Sequence, residues 1–243
     1  EAVFKNKEII SAITLTKEQL DTINGGFKGA PKFPMSNTLD YLLRYQHHYN
    51  DPKIFKYIKT SLTKMAYGGI YDQIGGGFSR YSVDERWHIP HFEKMLYDNA
   101  QLVSIYSKAY LQDKNELYKN VVQGILGFVN EELSANNGAF YSSLDADSKN
   151  ENDELEEGVF YSWTKQELKN LIKDYELFAN YYNVNTTGFW EKDLYVLIRN
   201  QSNAEFAKKN KLTKKELKSK IANWKSILSI ERNKRKKPNL DDK

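Results

Sequence analysis

The feature that most constrains this chain is a pair of amphipathic helical hairpins set between long loops. Leu39, Leu42, Leu43 and Tyr49 mark the apolar stripe of a helix over 36–49, with Ser36 or Asn37 as its cap. Asn50 and Asp51 turn the chain, and Pro52 suits the first position of the next helix. Ile54, Phe55, Ile58, Leu62 and Met65 carry that helix to about residue 67, where Gly68-Gly69 stops it. A second hairpin pairs a helix running from Pro90 or His91 to Leu111 with one over 116–133. Between Met95 and Ser107 only Asp98 is charged, so this helix reads as inner; Lys119, Glu131 and Glu132 give its partner a wetter, outer face. The pattern predicts a mainly α chain: part of an α/α toroid of helical hairpins, with short β-strands in the loops and the site at one end. A helical repeat array would read similarly.

The remaining elements are shorter. A helix is expected over 16–23, with Thr16 as N-cap and Gln19 in the capping-box position. Strands over 139–143 and 158–163 flank an acidic loop that holds Asp145, Asp147 and Glu157. Thr164 caps a helix reaching about residue 173, a short helix covers 175–182, and a strand covers 194–198. Helices over 203–209 and 213–235 finish the chain, the second with a Thr213–Glu216 capping box.

The 243 residues hold no cysteine, which excludes disulfides, thiolate catalysis and thiolate metal sites within them and fits a reducing, cytoplasmic setting. No run approaches the roughly 18 apolar residues of a membrane-spanning helix, so no membrane partner is expected. Net charge is +4, with basic runs at 208–211 and 234–237. These read as solvated helix faces rather than a nucleic-acid patch. Seventeen tyrosines suit the lining of a polar cavity, where sugar rings can stack, as well as an ordinary core.

The chemistry concentrates in 68–100, GGIYDQIGGGFSRYSVDERWHIPHFEKMLYDNA. His91 at a helix start would be neutral and base-competent, because a helix N-terminus disfavours imidazolium. Asp98, seven residues on, would share its face. Asp145 and Asp147, alternate residues of a strand-like segment, could both face one pocket, as paired carboxylates do in glycosidic-bond cleavage. These four are the candidate catalytic residues. Phe78, Tyr81 and Trp87 are candidates to stack on a ring, and Arg80, His88, Glu93 and Tyr97 to bind its polar groups. Asp98 tying down the glycine loop through Arg80 or Arg86 is the structural alternative. No metal or other cofactor is expected. An EF-hand fails at Lys149 and Asn150, His88 and His91 lack a third zinc ligand, and no Lys-Ser/Thr follows Gly75-Gly76-Gly77.

GGFKGAPKFP at 25–34, the 68–100 stretch, YSSLDADS at 141–148 and EEGVFYSWT at 156–164 occur in that order. Together they closely resemble the YyaL-like family of thioredoxin-domain proteins, which includes the spermatogenesis-associated members. NLDDK at 239–243 resembles the first residues of that family's next motif. The resemblance implies that 1–243 is one partial domain, the first half of an α/α toroid related to six-hairpin glycosidases and N-acylglucosamine 2-epimerases. It also implies that the family's thioredoxin-like domain lies outside this chain. The family's reaction is not established. Two functions are expected: a carbohydrate-active or sugar-binding domain, glycosidase-like or epimerase-like if an enzyme, or a non-catalytic module presenting a protein partner to the thioredoxin domain. The partner in the first case is a sugar or sugar-derived small molecule. Self-association is expected through the surface that the second half of a toroid would cover.

Overall fold

The computed structural model describes residues 6–241; Asp242 and Lys243 of the NLDDK motif lie outside them. The first helix corrects the expectation. Helix α1 (Asn6–Gln19) ends near where a helix was predicted to begin. The Thr16 hydroxyl donates to the Ala12 carbonyl (2.8 Å), as Thr14 does to Ile10, so Thr16 is helix interior and not a cap. Beyond Leu20 the carboxylate of Asp21 accepts from the amides of Ile23 and Asn24, which favours a turn over a further helical turn.

The two predicted hairpins are present. Helices α2 (Ser36–Tyr49) and α3 (Pro52–Tyr67) form the first, with Asp51 accepting from the Lys53 and Ile54 amides ahead of Pro52. Met35, not Ser36 or Asn37, is the N-cap of α2, and no side chain caps that end. Helices α4 (Leu96–Asp113) and α5 (Glu116–Phe128) form the second, and a π-helical turn (Val129–Leu133) extends α5. Helix α2 packs on α3 and α4, α4 on α5, and α5 on α3. Thus α2 and α4 make one layer and α3 and α5 the other, as in two consecutive hairpins of an α/α toroid. Their facing stripes form one core from Leu39, Leu42, Ile58, Leu62, Leu102, Tyr106 and Ile125, all essentially inaccessible to solvent.

The second hairpin starts later than its sequence suggests. Pro90–His91 is a strand paired with Tyr81–Ser82, and Lys94–Met95 pairs with Ser143–Leu144, so the backbone is committed to strand partners until Leu96. Ser143–Leu144 also pairs with Leu240–Asp241. Asp147–Lys149 pairs with Leu155–Glu157, and Trp163–Thr164 with Leu194–Tyr195. Most of 158–163 is not a strand, because Arg235 collects the carbonyls of Val159, Phe160 and Ser162 (3.0, 3.2 and 2.7 Å) that a neighbouring strand would otherwise bind.

The C-terminal part adds α6 (Lys165–Leu171), α7 (Tyr175–Tyr182), α8 (Asn203–Lys209) and α9 (Lys214–Arg232). Thr164–Glu167, Ser202–Glu205 and Thr213–Glu216 form capping boxes. A second core gathers Trp163, Phe178, Phe206 and Trp224. A buried ion network joins the two cores. Arg232 of α9 donates to both oxygens of Asp72 (3.0 and 2.8 Å), and Lys94 donates to Asp72 (2.9 Å) and to the Gly76 carbonyl. Burial opposes ionisation of Asp72, but Arg232, Lys94 and the Gly75 amide outweigh it and hold its pKa well below the usual carboxylate range. All four basic residues of 234–237 form ion pairs, with Glu231, Glu167, Asp153 and Glu132 in turn. Among the described residues no helix is long and apolar enough to cross a membrane.

Candidate functional site

The 68–100 stretch divides into a buried brace and an open rim. In the brace, Asn99 clamps the backbone of Phe78, accepting from its amide (2.7 Å) and donating to its carbonyl (2.9 Å). Asp84 accepts from the amides of Arg86, His88 and Ile89. Gly76 (φ +77°) lies so close to α5 that a Cβ would sit 2.3 Å from the Gly124 carbonyl oxygen. Trp87 (φ 66°) donates through its indole N–H to the Asn24 carbonyl (2.8 Å) and so ties this stretch to the 25–34 loop. Three expected ligand-binding residues belong to this brace and are corrected here. Phe78 and Trp87 are fully buried, and His88 is 7% exposed, so none offers a face or an edge to a ligand. The sequence marks them as chemically rich, but their aromatic surface is used in packing: Phe78 lies between Tyr71 and Tyr106.

The rim is built on the same strands. Lys32 and Ser82 exchange backbone hydrogen bonds (2.7 and 2.9 Å), which brings the 25–34 loop beside Tyr81–Ser82. A cleft of about 260 Å³ opens there, at the N-terminal ends of α2 and α4. Phe33, Met35, Ser36, Thr38, Arg80, Tyr97, Asp98 and Gln101 line it, with Pro34 and Asn37. Phe33, Met35 and Tyr97 are 41, 43 and 47% exposed. They are apolar surfaces held open to solvent around a polar floor.

Asp98 is the chemically distinctive group of the cleft. Its Oδ2 is buried and makes no hydrogen bond. Burial pushes its pKa up to about 6, against the pull of Arg80 and with the repulsion of Glu93. Arg80 instead binds Glu93 (3.1 Å), so Asp98 does not hold the glycine loop; Asn99 does. A cleft carboxyl that titrates near neutrality can lend or take a proton.

The other expected catalytic residues, His91, Asp145 and Asp147, lie outside the cleft lining. His91 is strand, not helix, so a helix dipole does not act on it, and it shares no helical face with Asp98. The His91 ring stacks on Tyr81 (centroids 5.0 Å apart), which meets Phe33 of the cleft (4.8 Å). His91 Nδ1 lies 2.8 Å from Glu157 Oε1, and Nε2 lies 3.9 Å from Glu93. Asp147 is opposite Glu157 in the hairpin register, and partial burial together with Asp145 and Glu157 raises its pKa. Asp145 is solvent-exposed ahead of that strand, and neither Asp145 nor Asp147 lines the cleft. Among the described residues no group of three or more His, Asp or Glu is placed to hold a metal ion. Sequence reasoning missed Phe33, Met35, Thr38, Gln101 and Glu157. The 25–34 Gly/Pro loop and the EEGVFYSWT segment, both noticed as motifs, were the only signals that pointed towards any of them.

No family model matches the chain. An uncharacterized protein of Caenorhabditis elegans is 35% identical over 267 aligned residues covering 99% of this chain. Spermatogenesis-associated protein 20 of Homo sapiens is 43% identical over 162 residues, 65% of this chain. This chain is a relative of spermatogenesis-associated protein 20. The chain spans 36% of the worm protein, 21% of human spermatogenesis-associated protein 20 and 20% of the Mus musculus one. Among solved structures, a sugar epimerase from a ruminal bacterium overlays 55% of this chain and 37% of its own (TM-score 0.49, 16% identity). Cellobiose 2-epimerase from Spirochaeta thermophila overlays 55% and 36% (TM-score 0.49, 17% identity). At that level of likeness the overlays carry no argument.

Proposed function

We propose that the cleft between α2 and α4 binds a sugar or a sugar-derived small molecule, within one partial toroid domain of a longer thioredoxin-domain-containing protein. The observation that carries this reading is the carboxyl of Asp98, with its raised pKa, set among half-exposed Phe33 and Tyr97 and the guanidinium of Arg80. Aromatic faces suit the apolar face of a sugar ring, and an arginine and hydroxyls suit its polar edge. The cleft is near the lower end of ligand-site volumes (roughly 300–1,000 Å³), which favours a single ring over a long polymer. Asp98 is the proton donor; Ser36, Thr38, Arg80 and Gln101 supply polar contacts, and Phe33 and Tyr97 the stacking faces. His91 lies outside the lining and is coupled to it through Glu93 and Arg80. Asp145 and Asp147 stand outside the cleft, and Asp147 shapes the field around His91.

Calorimetric screening of the full-length protein against monosaccharides, sugar acids and amino sugars tests the reading. Binding that Phe33→Ala and Asp98→Asn each weaken at least tenfold supports it. Absence of binding across the panel, or binding indifferent to both substitutions, overturns it.

A further inference from the structure

The acidic hairpin of Asp147–Lys149 and Leu155–Glu157 has one feature that the cleft alone does not explain. Its last residue, Glu157, reaches a histidine 66 positions earlier in the chain. One oxygen of Glu157 does two things: it lies 2.8 Å from His91 Nδ1, and it accepts from the Phe92 amide at 3.1 Å. The second bond fixes the carboxylate to the backbone beside the ring it binds. Tyr81, the strand partner of His91, covers one ring face at 5.0 Å and an interplanar angle of 22°. The imidazole is therefore fixed by an edge contact and a face contact. Its Nε2 lies on the side of Glu93, 3.9 Å away, and that carboxylate is held by Arg80 of the cleft wall. The charged groups around the ring are Glu157, Glu93 and Asp147, with Arg80 beyond Glu93.

We propose that Glu157 is the positioning residue of His91: it holds the proton on Nδ1, so that Nε2, on the side of Glu93 and of Arg80 in the cleft wall, is the nitrogen left free to take a proton. An acceptor fixed at Nδ1 of a neutral imidazole sets the tautomer, because one nitrogen donates and the other keeps its lone pair. A carboxylate behind a working histidine performs this role in many sites. The role of Nε2 rests on the cleft reading above; the tautomer does not, and it can be read without any ligand.

Ring-nitrogen NMR of ¹⁵N-histidine-labelled protein at pH 8.5 measures it. The wild type is expected to show neutral His91 protonated on Nδ1, and Glu157→Gln, which keeps an acceptor oxygen, to preserve that state. Glu157→Ala is expected to move the proton to Nε2, exchanging the protonated and unprotonated positions of the two resonances. A wild-type ring protonated on Nε2, or still doubly protonated at that pH, overturns the proposal, and so does a Glu157→Ala protein that keeps the Nδ1 proton. Should Glu157→Ala not fold, the wild-type and Glu157→Gln spectra still decide. Failure of the sugar screen with the expected tautomer present would remove the cleft ligand and leave Glu157's hold on His91 standing.

Discussion

Replacing Asp98 by Asn is expected to stabilise the protein at neutral pH. A carboxyl whose pKa rises from 3.8 to about 6 on folding binds its proton more tightly in the folded state. The stabilisation this supplies is complete below about pH 3.8 and is lost as pH rises through about 6, so at pH 7 the ionised group weakens the fold. The rise from 3.8 to about 6 corresponds to about 3 kcal/mol, at about 1.4 kcal/mol per pH unit. Asp98 opens partly onto the cleft, and solvent there screens the effect, leaving about 1–2 kcal/mol. Asparagine matches the shape without the charge, so Asp98→Asn should raise Tm by roughly 2–8 °C at pH 7, at about 2–4 °C per kcal/mol in a chain this size. At pH 3.5 the two proteins should melt together. Circular-dichroism melts of both proteins at the two pH values measure the difference. A variant less stable at pH 7, or a difference that does not change with pH, would refute the reasoning. Gained stability from removing a site carboxyl is the usual signature of a residue kept for function rather than for folding.

Other expected outcomes follow from the brace and the helix faces. Asp72→Ala leaves Lys94 and Arg232 as uncompensated buried cations and should cost about 3–5 kcal/mol in urea unfolding; a cost under about 1 kcal/mol contradicts the network's role. Trp87→Ala should cost about 3–5 kcal/mol, whereas Phe33→Ala, at an exposed ring, should leave stability within about 1 kcal/mol. Equal effects at the two positions would contradict the division into brace and rim. We also expect self-association of this chain through the uncharged side of α4, where Tyr97 and Leu111 are exposed. Leu111→Lys should reduce it in sedimentation velocity, and a wild type that is monomeric at every concentration would contradict it.

The helical hairpins were legible because their signals are local: a Leu39-Leu42-Leu43 stripe, an Asp51-Pro52 start and a Gly68 stop each act within a turn of chain. The Thr164 cap and the Thr213 capping box were legible for the same reason. The misread ends were decided by partners distant in sequence. Ser143–Leu144 holds Lys94–Met95 in a strand, and Arg235 takes the carbonyls that 158–163 would have offered to a sheet. In the site, residue chemistry alone could not separate Trp87, buried under a hydrogen bond to Asn24, from Tyr97, exposed at the cleft. Both are aromatic residues in the same rich stretch, and only the packing of Trp87 against Gly26 and Gly68 across the fold decides which faces water. Phe33 and Glu157 escaped because each becomes a site residue through a contact with Tyr81 or His91 made across the fold.

Chemical-shift mapping of a labelled protein titrated with the sugar panel tests the cleft most directly. The expected result is a saturable change confined to Phe33, Thr38, Arg80, Tyr97, Asp98 and their neighbours, with affinity for one class of sugar above the rest. Changes confined to another surface, or none at any concentration, would contradict the assignment of this cleft as the site.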